Sequence, residues 1–127
     1  MRTRLPTVRN GKTHRAKIAG NALYFTVNVS AAGQPREIIN VKYCYDGQDA
    51  VDLTTAREVE FHLNMWSIAV SMALQHGAEL KDVCRKFMHQ QAGCGGLTDN
   101  ENIRNCKSSE DYIVKWIWSE FGDGDKL

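Results

Sequence analysis

The sequence predicts an α+β domain in which a three-stranded antiparallel sheet packs against one long and two shorter helices. Three observations carry that prediction. Side chains alternate in polarity through residues 12–43, two turn signals interrupt that stretch, and near residue 50 the apolar period lengthens to that of a helix. With 127 residues, 43% hydrophobic and 24% charged, the chain is expected to form one domain over 1–127, with a basic arm at 1–11 and a short acidic tail at 122–127.

In KTHRAKI, residues 12–18, alternation places Thr13, Arg15 and Lys17 on one face and His14, Ala16 and Ile18 on the other. Gly20-Asn21 supplies a two-residue hairpin turn, since both residues tolerate positive φ. The next strand sends Leu23, Phe25, Val27 and Val29 inward, and Ala32-Gly33-Gln34-Pro35 turns into a third strand with Ile39, Val41 and Tyr43 on its apolar side.

From Arg57 to His76 the spacing of Val59, Leu63, Trp66, Val70 and Ala73 predicts a long helix. A second row, Phe61, Met65, Ile68 and Met72, runs roughly opposite the first. A small sheet covers only one side of such a helix, so the later helices or a second subunit must cover the other, and a homo-oligomer is expected. Gly77 ends the helix, and a short one follows with Leu80, Val83, Cys84 and Phe87 buried. QQAGCGGLTDNENIRN reads as a loop. The last helix is capped by Ser108 or Ser109, favoured at its start by Glu110 and Asp111, and buries Tyr112, Ile113, Trp116, Ile117 and Phe121.

The function classes narrow in turn. No run of apolar residues suits a membrane span and MRTRLPTVRNGK lacks a secretion-signal core, so a cytoplasmic chain with no membrane association is expected. Cysteines 44, 84, 94 and 106 form no CxxC pair, and the spacing of His89, Cys94 and Cys106 does not match a structural zinc site, so neither metal nor cofactor is implied. Net charge is +1, yet the first 36 residues carry seven Lys and Arg and no acid, which would draw an anionic partner there. No Walker loop or GxGxxG follows a strand.

Five stretches in one order, R-L-P at 4–6, G-K-T-H at 11–14, A-V-S-M-A-L-Q-H-G at 69–77, R-K-F-M-H at 85–89 and S-E-D-Y-I-V-K-W at 109–116, resemble the TSCPD domain found near the C-terminus of adenosylcobalamin-dependent ribonucleotide reductases. The resemblance implies an accessory domain standing alone, of a kind expected in bacteriophage genomes. It implies no catalysis, because the reductase chemistry needs a large barrel, a radical-forming cysteine and redox cysteines.

His14, His76 and His89 lie inside those stretches, beside Arg15, Gln75 and Lys86, and such groups at helix ends next to a glycine-rich loop suit a phosphate or a nucleobase edge. The expected ligand-binding set is His14, Arg15, Lys17, Gln75, His76, Lys86, His89 and Gly95, with no catalytic residue. The leading expectation is a non-catalytic nucleotide-binding accessory module, with a reductase subunit as a partner. The alternatives are an oligomer that sequesters a nucleotide signal, as a phage anti-defence protein would, and a protein-interaction or nucleic-acid-binding module.

Overall fold

The computed structural model describes residues 2, 4–45, 53–92 and 95–127. The elements are β1 (Asn10–Ile18), β2 (Asn21–Val29), β3 (Pro35–Tyr45), α1 (Leu53–Gln75), α2 (Leu80–Phe87), β4 (Gly96–Asn100), β5 (Ile103–Cys106) and α3 (Ser109–Phe121). The sheet has five antiparallel strands in the order β3-β2-β1-β4-β5, not three. The two additional strands lie in the stretch read as loop. GLTDN and IRNC are short and show no apolar alternation, and their pairing is irregular between Leu97 and Asn100. They join β1 through the pair Ile18↔Thr98, the bond from Ala19 N–H to Leu97 O at 2.8 Å, and the bond from Lys17 N–H to Asp99 Oδ1 at 2.8 Å.

Two local twists of the backbone refine the hairpin predictions. The β1–β2 turn uses Ala19 and Gly20, both at positive φ, and is closed by Ile18↔Asn21, one residue earlier than the Gly20-Asn21 signal. In β3 Asn40 sits at φ 55 in a bulge opposite Phe25, which reverses the side-chain phase. Ile38 therefore points inward with Val41 and Tyr43, in place of Ile39.

Helix α1 begins four residues earlier than the apolar spacing indicated. It ends in a paired cap in which Ala78 N–H reaches Ala73 O and Gly77 N–H reaches Leu74 O, with Gly77 at φ 102. Along its length a polar stripe satisfies the free edge of β3. Glu60 accepts from Tyr43 N–H, Asn64 donates to Val41 O, Ser71 accepts from Ile38 N–H, and Gln75 donates to Arg36 O. A helix that covers a strand edge in this way removes a site of unwanted pairing.

The core gathers Ile18, Leu23, Phe25 and Val27 from the sheet, Leu63, Val70 and Leu74 from α1, and Tyr112, Ile113 and Ile117 from α3. The second row of α1 stays outside it: Phe61, Met65, Ile68 and Met72 are each about half exposed, at 56%, 46%, 53% and 52%. The later helices do not cover that row.

Candidate functional site

Two of the five motif stretches, 85–89 and 109–116, meet at the start of α3, and His14 of 11–14 reaches the same helix through Tyr112, whereas 4–6 and 69–77 meet each other around Gln75. Ser108 caps the helix by accepting from Asp111 N–H at 3.0 Å. The Asp111 carboxylate is fully buried and accepts from His89 N–H at 2.6 Å, Lys107 N–H at 2.8 Å and the Lys115 ammonium at 2.9 Å. Burial alone would raise its pKa, but these donors together hold it below the ordinary aspartate value. His89, just past α2, adopts φ 67, a conformation rare for a residue with a side chain. Its N–H is thereby fixed on Asp111 while its imidazole is left exposed.

Beside this knot lies a cleft of about 490 Å³, within the ~300–1,000 Å³ range of small-molecule sites. Its apolar walls come from Met88, Ile103, Trp118 and Leu127, and its polar ones include His89, Asn102, Arg104, Asn105 and Lys115. The Trp118 indole is held in place because its Nε1–H donates to Asp125 O at 2.7 Å. Gly122 passes so close to the ring that an added Cβ would fall 2.5 Å from it, so a larger residue there would displace the indole. Trp118 shares this lining with Arg104, Lys115, Lys126 and His89, and with Asp125, whose carboxylate is paired with Lys81, so the cleft offers a stacking surface and cationic donors to one molecule.

The residues marked in the sequence do not all gather here. His89 lines the cleft and Lys86 is exposed on α2 nearby in the chain. His14 is half-buried under α3, stacked on Trp116 with ring centroids 4.9 Å apart. Its Nε2 lies 2.8 Å from the Tyr112 hydroxyl, which also accepts from Asn100 Nδ2 at 3.0 Å. Burial lowers the His14 pKa, opposed in part by Asp99 and Glu120. Arg15 lies on the opposite face of β1, where its Nε donates to the Tyr24 hydroxyl at 2.9 Å, and alternation puts Lys17 on that face too. Gln75 is bound to Arg36 O and accepts from Arg2 Nε at 2.6 Å. His76 is exposed, and its ring Nδ1 lies 2.8 Å from Met72 O in the last turn of α1. Gly95 packs against the backbone of Lys107, which an added Cβ would meet at 2.5 Å. Gly93 and Cys94 lie outside the described residues.

Sequence reasoning missed Trp118, Arg104 and Lys115 as cleft residues and Asp111 as the hub. The signal for Asp111 was its place in the S-E-D-Y stretch, where a carboxylate in a first helical turn was assigned only to the helix dipole. Arg104 carried no signal, because its strand read as loop. Among the described residues no group of three or more His, Cys, Asp or Glu could hold a metal ion, and no helix is long and apolar enough to cross a membrane. The thiol of Cys84 is buried and pushed up to about 12 by that burial, so it stays protonated and unreactive.

Comparison with known proteins gives a consistent result. The model of the TSCPD domain family matches residues 1–120. The chain is 32% identical over 127 residues to a vitamin B12-dependent ribonucleotide reductase of Rhodopirellula baltica, covering 98% of this chain and 11% of that protein. The corresponding enzyme of Streptantibioticus cattleyicolor is 30% identical over 124 residues, with 95% and 18% covered, and that of Streptomyces avermitilis 29% over 124 residues, with 95% and 12% covered. The chain thus spans between 11% and 18% of the length of these relatives, which lend no support to a bacteriophage source. No solved structure matches it.

Proposed function

Because the chain belongs to the TSCPD domain family, we propose that it is a non-catalytic accessory module of vitamin B12-dependent ribonucleotide reduction that binds a nucleotide. The observation that carries this reading is the cleft beside Asp111. Trp118 is the stacking surface for a base, and Arg104, Lys115 and the His89 imidazole face the phosphates. The volume of about 490 Å³ suits a whole nucleotide. A binding role is favoured over catalysis because the chain corresponds to at most 18% of the length of the reductases named.

Calorimetry with mono-, di- and triphosphate nucleotides tests the reading. Wild type should bind at least one of them, and Arg104→Gln should weaken that binding by about tenfold or more, the range for a hydrogen bond to a charged group. Trp118→Ala should cost about 1–3 kcal/mol, the value of one base–aromatic stack. Unchanged affinity in both variants would remove the cleft from the account.

The exposed row of α1 supports self-association as part of the same function. Phe61, Met65, Ile68 and Met72 follow a four-three-four spacing along the helix, and Ala69 and Ala73 beside them allow close approach. Four half-exposed side chains present on the order of 400 Å² of apolar surface, a patch no larger than many monomers carry, so it is the regular helical spacing of the row that supports a second copy.

A further inference from the structure

On residues separate from those of the cleft, the N-terminal arm folds against the start of β3 and the end of α1 and encloses a recess of about 130 Å³ lined by Arg2, Arg4, Leu5, Arg9, Glu37 and Gln75. Two of the guanidiniums are oriented by the fold. Gln75, fixed by its bond to Arg36 O, accepts from Arg2 Nε, and among the described residues neither Nη group of Arg2 makes a side-chain hydrogen bond. Arg9 is held by its Nε bond to Pro6 O and by Nη1, which spans both oxygens of Glu37 at 2.7 Å. Its Nη2 is uncommitted among the described residues. Glu37 is further occupied by Asn28 Nδ2 at 2.8 Å, so its carboxylate is already satisfied by donors. Arg4 makes no side-chain hydrogen bond to another described residue. Three guanidiniums against one carboxylate leave a net charge of +2 in the recess.

We infer that this recess is a second anion site, built for the dianionic phosphate of a small phosphate monoester. The charge matches, since a phosphate monoester carries about −1.5 to −2 at neutral pH. Guanidiniums oriented in advance suit its oxygens better than flexible ammonium groups would. The size also selects: the volume equals that of about four waters and lies below the ~300 Å³ at which whole-ligand pockets begin. It takes a phosphate head and leaves the rest of the molecule outside.

The test is calorimetry at constant ionic strength with inorganic phosphate, ribose 5-phosphate and acetate, on wild type, Arg2→Gln, Arg4→Gln and Trp118→Ala. Phosphate and ribose 5-phosphate should bind wild type and Trp118→Ala alike, acetate should bind far more weakly, and each arginine variant should lose on the order of tenfold in affinity or more. Arg4→Gln removes no hydrogen bond within the described residues, so its folding should be unchanged, and an unaltered melting curve checks this. Phosphate affinity unchanged in the Arg2→Gln, Arg4→Gln double variant would overturn the inference, as would acetate binding as tightly as phosphate. Ribose 5-phosphate failing where inorganic phosphate binds would overturn the monoester assignment. Phosphate bound here with no nucleotide in the cleft would keep this inference and end the nucleotide reading, so the two fail separately.

Discussion

Replacing Asp111 with Asn tests whether one buried carboxylate holds the site together. The wild-type carboxylate accepts from two backbone N–H groups and from Lys115, whose side chain is 19% exposed while that of Asp111 is fully buried. An Asn side chain keeps one acceptor oxygen and turns an NH2 group toward the remaining donors. Removing one partner of a buried ion pair costs about 3–5 kcal/mol. Lys115 retains some access to water and the Asn retains one oxygen, which places the expected loss at the lower end, near 3 kcal/mol. For a chain of this length that corresponds to a fall in Tm of about 10 °C.

Circular dichroism with thermal and urea denaturation reads this directly, and acid titration adds a second signature. The folded pKa of Asp111 is depressed, so its contribution is fully present above the ordinary value of 3.8 and is lost as pH falls through the lower folded value. The difference between wild type and Asp111→Asn should therefore narrow below about pH 3.8. Because Asp111 anchors His89 and Lys115, the variant should also weaken nucleotide binding in the cleft. A stability loss under about 1 kcal/mol, with a constant gap down to low pH, would refute the hub reasoning.

Other substitutions separate structure from binding. His89→Gly suits the positive φ at that position, so its stability should stay within about 1 kcal/mol of wild type while nucleotide affinity falls in calorimetry. Gly96→Ala should destabilise by about 1–3 kcal/mol in urea denaturation, since Gly96 is at φ 145 and an added Cβ would lie 2.9 Å from that of Ala19, prising β4 from β1. Met65→Glu should convert any dimer to monomer by light scattering, and a wild type that is monomeric at every concentration would end the self-association proposal. The folded pKa of His14 is lowered, so the neutral imidazole is the stabilising form. Stability should be full above about 6.5 and decline as pH falls toward the lower folded value, and an NMR titration of the ring should give the same lowered midpoint.

The sequence made β1, β2 and the helices legible because their apolar periods are imposed by burial on one face. It failed where tertiary contacts replaced periodicity. Thr98 Oγ1 bonds Ile103 O and Asn100 Oδ1 accepts from Asn102 N–H, so side-chain bonds within the β4–β5 hairpin support two strands that lack an apolar face. The Asn40 bulge likewise exchanged Ile39 for Ile38 without a glycine to announce it. Glu60, Asn64 and Ser71 carry no signal in a helix read by its apolar rows, and Gln75 reads as a ligand residue, yet all four satisfy the edge of β3.

The candidate site was half legible for the same reason. His89 stood out by type and position, and the structure sets it beside the cleft. His14 stood out equally, but Tyr112, Trp116 and Phe25 enclose it in a ring cluster that no spacing in the sequence indicates. Trp116 and Trp118 differ by two positions on one helix. The first is buried against Phe25 and the second is turned to the cleft, a distinction that depends on which face α3 lays on the sheet.

The most direct measurement of the nucleotide proposal is a two-dimensional NMR titration of the labelled chain with a nucleoside triphosphate. Backbone shifts should concentrate at His89, residues 102–105 and Lys115, and the indole N–H of Trp118 should move with the same affinity. No shift at millimolar nucleotide, or shifts confined to the arginine recess while Trp118 stays fixed, would contradict a nucleotide site in the cleft.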